Sequence, residues 1–441
     1  MEVLGVQVSN VRGVASELRG LSLDFQAKNR ELPRWIVFAG RNGAGKSTLM
    51  QAIALAIGGP SIARLLAESF DGWIRDGASR AVVGVQLRFS DDDGFAAGRK
   101  PQFDPWTALS WDRSDGPEPT MERAAIGGRW TPERGPWAEN PKGWFLAGYG
   151  PFRRLSPAPS EALRLMMSPG RPAALASLFR EDASLSESVQ WLQRVYLQRL
   201  ERRAEAEELE QLVLALLDDG LLPEGMRVER VDSQGLWVRS PEGQSFPLSA
   251  LSDGYRTVSG LVLDLVKQIS SANGEVPYEL GEGGVRILYE GVVLIDEIDV
   301  HLHVEWQKRI GFWLKRHFPR MQFLVTTHSP FICQAADPGG LVRLSPSWEP
   351  GPAASILEGE AFNRVVNGTM DEALLGDLFG LESTLSESAQ RDRERLAELE
   401  VRAIRGDLNK KIFSEISSLG SRLPKSQAAA VEAALLRLNL R

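Results

Sequence analysis

Short apolar runs alternate with polar breaks through the first forty residues, which predicts a strand-rich start. Trp35-Ile36-Val37-Phe38-Ala39 is a continuous apolar run, expected to be a buried strand leading into Gly40, with a helix from Ser47 to Ile57. Residues 81–150 read as strands again, with Trp106, Trp111, Trp130, Trp137 and Trp144 set among Gly and Pro. The period then changes. Leu209, Leu212, Val213 and Leu216 fall at i, i+3, i+4 and i+7, one face of an amphipathic helix whose solvated side is the charged stretch 201–210. Strand character returns near Val228–Val238. A helix carrying Val258, Leu261, Val262, Leu265 and Ile269 follows, then apolar strands at Val292–Ile295 and Phe323–Thr326, then a helical C-terminal hundred residues. The charged run 387–405 lacks sustained heptads and reads as a solvated helix. Ile412, Ile416 and Leu419, at i, i+4 and i+7, mark an apolar face suited to docking a partner. No internal repeat is visible.

Composition narrows the class. A chain of 441 residues, 43% hydrophobic and 25% charged, has core enough for two or three domains. Its one cysteine, Cys333, excludes an intramolecular disulfide. Met1-Glu2-Val3-Leu4 has no basic n-region or apolar h-region, and no run of about 18 uncharged apolar residues occurs. A cytoplasmic protein without a membrane span is expected. The net charge of −7 argues against nucleic-acid binding by the whole surface. Phe152-Arg153-Arg154 and Lys315-Arg316-His317 are the short basic candidates, each expected to be neutralised by neighbouring carboxylates.

Gly40-Arg41-Asn42-Gly43-Ala44-Gly45-Lys46-Ser47-Thr48 matches G-x-x-x-x-G-K-[ST], after a predicted strand and opening a helix. Glycines let successive backbone N–H groups curl to face phosphate oxygens, and the helix N-terminus adds a favourable dipole. Lys46 is then the residue for the β- and γ-phosphates, and the Ser47 hydroxyl a ligand for Mg²⁺.

Val292-Val293-Leu294-Ile295-Asp296-Glu297 is an uninterrupted apolar run ending in two carboxylates, as expected for a central parallel strand. Ligands of α/β sheets sit at that end. Asp296 is placed to hold the Mg²⁺ shell and Glu297 to polarise an attacking water. A second apolar strand ends at Thr327-His328, where an imidazole can donate to the γ-phosphate. All four histidines lie between His301 and His328. A zinc site on His301-x-His303 lacks further ligands of the right type.

Leu251-Ser252-Asp253-Gly254-Tyr255-Arg256 precedes the helix of Val258–Ile269, with Ser252 and Asp253 as N-cap residues. The order of phosphate loop, capped helix, acidic strand and histidine strand resembles the ABC ATPases. Val3-x-x-Val6-x-Val8-x-Asn10-Val11-Arg12 resembles the opening strand of the RecF and SMC group. The segments 248–256 and Leu294–His303 are similar to its bacterial AAA-21 branch. That branch includes ATPases of Septu-type and retron anti-phage systems and is related to OLD-family heads. The resemblance is specific over residues 1–60 and 225–335 and loose elsewhere.

The resemblance implies an α/β fold: an ABC-type P-loop ATPase head with a mixed sheet, an inserted short helical arm and a helical C-terminal region. The expected divisions are 1–155, a lobe with the phosphate loop and antiparallel strands; 156–225, the helical insert; 226–340, the lobe with signature, acidic strand and histidine; and 341–441, helical. By that likeness Ser252 and Gly254 contact the γ-phosphate bound by the opposite subunit, and Asp299 sits in the D-loop at a dimer interface. Val304 stands where the branch has proline after His303, and the strand ending Leu146-Ala147-Gly148-Tyr149-Gly150 lacks the Q-loop glutamine. The phosphate loop and signature are too close in sequence for long SMC coiled coils. No acidic D-x-D strand of a TOPRIM module and no HNH pattern follows His328.

The expected function is an ATP-hydrolysing, Mg²⁺-dependent homodimeric switch controlling a separate effector, such as a nuclease, in prokaryotic antiviral defence. A RecF-like DNA-repair ATPase acting directly on DNA is the alternative, so contact with nucleic acid stays open. A transporter subunit fits less well, given the missing glutamine and the large middle insert.

Overall fold

A computed structural model describes the chain apart from residues 17–18, 27–30, 97–99, 129, 153–165, 167–169, 223–224, 282, 382, 408 and 424–441. Sixteen strands are described: β1 (Glu2–Ser9), β2 (Leu21–Asp24), β3 (Trp35–Ala39), β4 (Arg80–Arg88), β5 (Trp106–Asp112), β6 (Thr120–Arg123), β7 (Leu146–Tyr149), β8 (Arg227–Asp232), β9 (Gly235–Arg239), β10 (Ser245–Pro247), β11 (Tyr278–Gly281), β12 (Gly284–Ile287), β13 (Gly291–Ile295), β14 (Met321–Thr327), β15 (Leu341–Leu344) and β16 (Ala354–Ile356). Contacts divide the chain into two units, Met1–Ala373 and Leu374–Arg441.

The first unit is built on two sheets. One is antiparallel, in the order β2-β1-β4-β5-β6. The other runs β16-β15-β3-β14-β13-β7; β15, β3, β14, β13 and β7 pair in parallel, and β16 is an antiparallel edge. Every residue of β3, β13, β14 and β7 is buried. A strand covered on both faces needs apolar residues throughout, which is why these segments read as continuous runs rather than alternations.

The helix Lys46–Leu66 packs against strands of both sheets, so it is apolar nearly all round. It is long and apolar enough by composition to cross a membrane, but 67% of its most apolar window is buried inside the protein. Its backbone also breaks at Gly59, φ 83°, just before Pro60. The predicted helix to Ile57 thus ends close to the kink.

The amphipathic segment forms the helix Ala204–Asp218, with Leu212, Val213 and Leu216 buried, beside the helix Ser186–Leu200. Glu210, from its charged stretch, is buried too and accepts from Arg199 at 2.7 Å. The segment Val228–Val238 is a hairpin, β8–β9, extended by β10.

Residues beyond 340 are not uniformly helical as expected. Leu341–Leu344 and Ala354–Ile356 are strands of the large sheet, because β15 finds a parallel partner in β3. In the second unit, the helices Glu387–Ile404 and Lys410–Arg422 pack through Leu399, Ile412 and Leu419, with Leu396 and Ile416 against them. The face of Ile412, Ile416 and Leu419, expected to be open for a partner, is therefore occupied from within. The two helices, of 18 and 13 residues, spend their apolar stripes on each other.

Candidate functional site

The site is assembled at the C-terminal ends of β3, β13 and β14, adjacent strands of the large sheet. β3 delivers the chain to Gly40, and Gly43 and Gly45 adopt φ 80° and 84° to turn it. A side chain at Gly45 would lie 2.6 Å from Val14, so both conformation and space require glycine. Gly45 caps the helix Lys46–Leu66 without any side-chain bond, leaving the first-turn N–H groups without intrahelical partners. A helix start of this kind is a cradle for anionic oxygens. Lys46 is buried, and its ammonium donates to the carbonyls of Gly40 at 2.9 Å and Arg41 at 3.2 Å. Burial holds the Lys46 pKa below the usual lysine range, opposed by the charges of Glu297, Asp296 and Asp299. Those three carboxylates therefore lie within electrostatic reach of the phosphate loop.

β13 ends at buried Asp296, whose backbone N–H donates to Tyr149 O at 2.8 Å. Glu297 follows with φ 46°, a left-handed conformation costing a non-glycine residue about 1 kcal/mol or more. Its N–H is held by Thr326 Oγ1 at 2.7 Å, and the same hydroxyl donates to Asp296 Oδ1. Thr327 donates to Asp299 Oδ1 in the same way, and its Oγ1 also accepts from the Ser329 N–H at 2.9 Å. Strand β14 thus sets Asp296, Glu297 and Asp299 through two threonines. Neither threonine was singled out in the sequence. Their signal is a pair of hydroxyls where an apolar strand ends.

His328 stands beyond Thr327, exposed at the C-terminal end of β14. Partial burial and the Lys46 charge lower its pKa, with Asp299 and Asp296 pulling it back up. The charges of Lys46, Asp299 and Asp296 thus all act on His328. His301 and His303 are used differently. His303 caps the helix Val304–His317, its Nδ1 accepting from the Glu305 N–H at 3.4 Å. Val304 opens that helix, a position where proline is also at home, so the exchange is structurally mild. Among the described residues, no three of His, Cys, Asp or Glu gather as a metal site.

The Ser252 segment begins the helix Asp253–Asn273. Ser252 is its N-cap with extended backbone, but the side chain makes no cap bond and is exposed. Asp253 pairs with Arg256 at 3.0 Å. Gly254 has a second duty not anticipated. A Cβ there would stand 2.5 Å from His301 O, so glycine is needed for close packing within the chain itself. The same helix carries buried Asp264, which accepts from Tyr149 O–H at 3.1 Å and lies near Lys267 and Gln268. Burial raises the Tyr149 pKa well above the usual range, and Asp264 adds to it. Where the family pattern has a glutamine after β7, this chain has a tyrosine at the strand's end that ties the acidic strand to the signature helix.

Of the basic candidates, Arg153 and Arg154 lie outside the described residues. Lys315 pairs with Asp337 at 2.7 Å and Arg316 with Asp219 at 3.0 Å, while His317 is buried, so that patch is neutralised as expected.

The donor set fits a nucleotide with Mg²⁺. It offers a phosphate loop, a hydroxyl at Ser47 and a carboxylate at Asp296 oriented by Thr326.

Comparison with known proteins agrees. A family model described as "AAA domain, putative AbiEii toxin, Type IV TA system" matches residues 150–334, and another, "AAA domain", matches residues 6–115. The chain is 29% identical to the Septu protein PtuA of Bacillus thuringiensis over 170 residues, 38% of this chain and 41% of that one. It is 39% identical to the retron Ec83 probable ATPase of Escherichia coli over 93 residues, 21% of this chain and 16% of that one. The matches thus span less than half of these relatives' length. A solved SMC head bound to the C-winged helix domain of ScpA overlays 82% of this chain and 98% of its own, with TM-score 0.47 and 16% identity. AAA-domain models thus match both halves of the phosphate-loop site, and the chain is similar there to the Septu and retron ATPases.

Proposed function

We propose that the chain binds ATP with Mg²⁺ and hydrolyses it, acting in the cytoplasm as a homodimeric switch that controls a separate effector in prokaryotic antiviral defence, a nuclease being the leading candidate. The convergence of Lys46, Asp296, Glu297, Asp299 and His328 on one sheet end carries this reading. The phosphate loop 40–48 cradles the phosphates, with Lys46 leaving its loop carbonyls for the β- and γ-phosphates. Ser47 and Asp296 would hold the Mg²⁺, which would neutralise phosphate charge and so ease the transfer. Glu297 orients the attacking water, its backbone fixed by Thr326. His328, kept neutral, donates to a phosphate oxygen.

The Ser252 helix start supports dimerisation. Ser252 is exposed, its hydroxyl is not spent on capping, and the N–H groups of the first turn have no side-chain cap. Such an exposed donor set is available to a phosphate bound by a second copy. The relatives named for Septu and retron systems support a defence role. Direct action on DNA is less well supported, since Lys315 and Arg316 are already paired. The test is phosphate release by the full chain with ATP and Mg²⁺, combined with identification of what co-purifies when its native operon is expressed. A chain that hydrolyses no ATP with its co-purifying partner present would sink the reading.

A further inference from the structure

We propose that Trp348 is the nucleobase platform of the ATP site, an aromatic face supplied by the loop between β15 and β16. This rests on the nucleotide reading above and extends it from phosphates to base.

The position follows from sheet order. β15 lies beside β3, so the loop that leaves β15 emerges next to the loop that leaves β3, which is the phosphate loop. The two touch at their roots, where a Cβ on Gly40 would lie 2.3 Å from Leu344 O. They touch again at the crest, where a Cβ on Gly43 would lie 2.9 Å from Trp348 Cη2. The indole therefore stands against the phosphate loop backbone.

The loop is also pinned from three sides. Glu349 is bonded to Arg343 of β15 at 2.8 Å and to Arg41 of the phosphate loop at 3.6 Å. Arg19 donates to Pro346 O at 2.9 Å and Pro352 O at 2.8 Å. The loop closes on itself through Ser345 N–H to Ala353 O at 3.0 Å and Glu349 N–H to Pro346 O at 3.1 Å.

A tryptophan is normally spent on a core, as Trp35, Trp73, Trp111 and Trp144 are here. Trp348 is instead 67% exposed on an anchored loop. An aromatic plane held in place beside a phosphate site loses little entropy on meeting a ligand, and every base offers a π-face to stack on it.

The experiment measures binding of ATP and of inorganic tripolyphosphate to the full chain by calorimetry, for the parent, Trp348→Ala and Trp348→Phe. Stacking removed by alanine weakens ATP by roughly tenfold to a hundredfold. Phenylalanine recovers most of that loss, and tripolyphosphate binds all three proteins alike. Unchanged ATP affinity in Trp348→Ala overturns the proposal, including the case where the variant loses only self-association. Equal losses of ATP and tripolyphosphate overturn it too, because the indole then merely supports the phosphate loop. A parent that binds neither ligand overturns the nucleotide site itself.

Discussion

The Thr326 hydroxyl donates to Asp296 Oδ1 and at the same time accepts the backbone N–H of Glu297 at 2.7 Å. One side chain thus fixes the direction of one carboxylate and the strained backbone of the next. Thr326→Val keeps the shape and removes the hydroxyl. We expect about 1–3 kcal/mol of lost stability, the usual cost of stranding a buried donor and acceptor. Turnover should fall tenfold or more, on the order of one misplaced catalytic group, while nucleotide affinity changes less. Thr326→Ser should restore most of it. Denaturation and steady-state kinetics on the three proteins decide; full turnover in Thr326→Val would remove the positioning role.

Hydrolysis and binding should separate at two residues. Glu297→Gln keeps the shape but loses the carboxylate proposed to orient water, so ATP binding should persist while turnover drops about 10²–10⁴-fold. Lys46→Ala removes the ammonium proposed to face the phosphates, so binding itself should be lost. Equilibrium binding and phosphate release measured side by side test both, and parental turnover in Glu297→Gln would refute its assignment.

The phosphate loop, acidic strand and histidine strand were legible because each is a continuous apolar run ending in polar residues of fixed type. Chemistry at a sheet end forces that pattern. The two threonines of β14 were not, since a hydroxyl at the end of an apolar strand looks like ordinary strand composition. Gly254 was read for a contact across subunits, and its contact with His301 O could not be seen, because it depends on how two loops distant in sequence meet. The strands β15 and β16 were missed for the same reason. Three or four residues carry little periodicity, and only pairing with β3 makes them strands. The face of Ile412 and Leu419 was correctly apolar, but periodicity does not say which partner covers it.

The composite-site test must avoid Gly254, where any side chain collides with the chain's own backbone. Ser252 is exposed and uninvolved in capping, so Ser252→Arg should leave the fold intact and place bulk where a second copy's phosphate is proposed to approach. We expect nucleotide binding at the parental level and loss of ATP-driven self-association. Mixing this variant with Lys46→Ala should restore about one working site per heterodimer, read as turnover of the mixture. A proven heterodimer without recovered turnover would count against trans-acting signatures.

Stability should fall as pH drops below neutral, in part through His317. This ring is buried, with Nδ1 on Val285 O at 2.6 Å and Nε2 facing Arg316 at 3.0 Å, and burial lowers its pKa despite the nearby Val285 carbonyl and Asp219. The folded state thus binds its proton less readily than the unfolded chain does. Its contribution is present above the ordinary histidine value of about 6.5 and is lost as pH falls from there towards the lowered one. His317→Gln should be less stable at pH 7.5 yet lose less stability than the parent between pH 7 and pH 5. Denaturant titrations across that range check the sign; an identical slope in both proteins would assign the dependence to other groups.

The purified chain should cut no nucleic acid by itself. Metal-dependent phosphodiester cleavage needs carboxylates converging on one or two divalent ions to activate water and stabilise the leaving oxygen. Asp296 and Glu297 are committed to the phosphate-loop site, held there by Thr326. In the second unit the acids Glu398 and Glu415 are already shared with Arg395, on the outside of a two-helix pair. The apolar stripe of that pair is closed on itself, so a partner has to be sought on other surfaces, such as exposed Phe413 and Ile404. Nuclease or other toxic activity is therefore expected only with a second protein bound. Plasmid, single-stranded DNA and RNA incubated with the chain, ATP and Mg²⁺ or Mn²⁺ should stay intact. Cleavage that follows the chain through purification and survives Glu297→Gln would reveal a catalytic centre elsewhere in it.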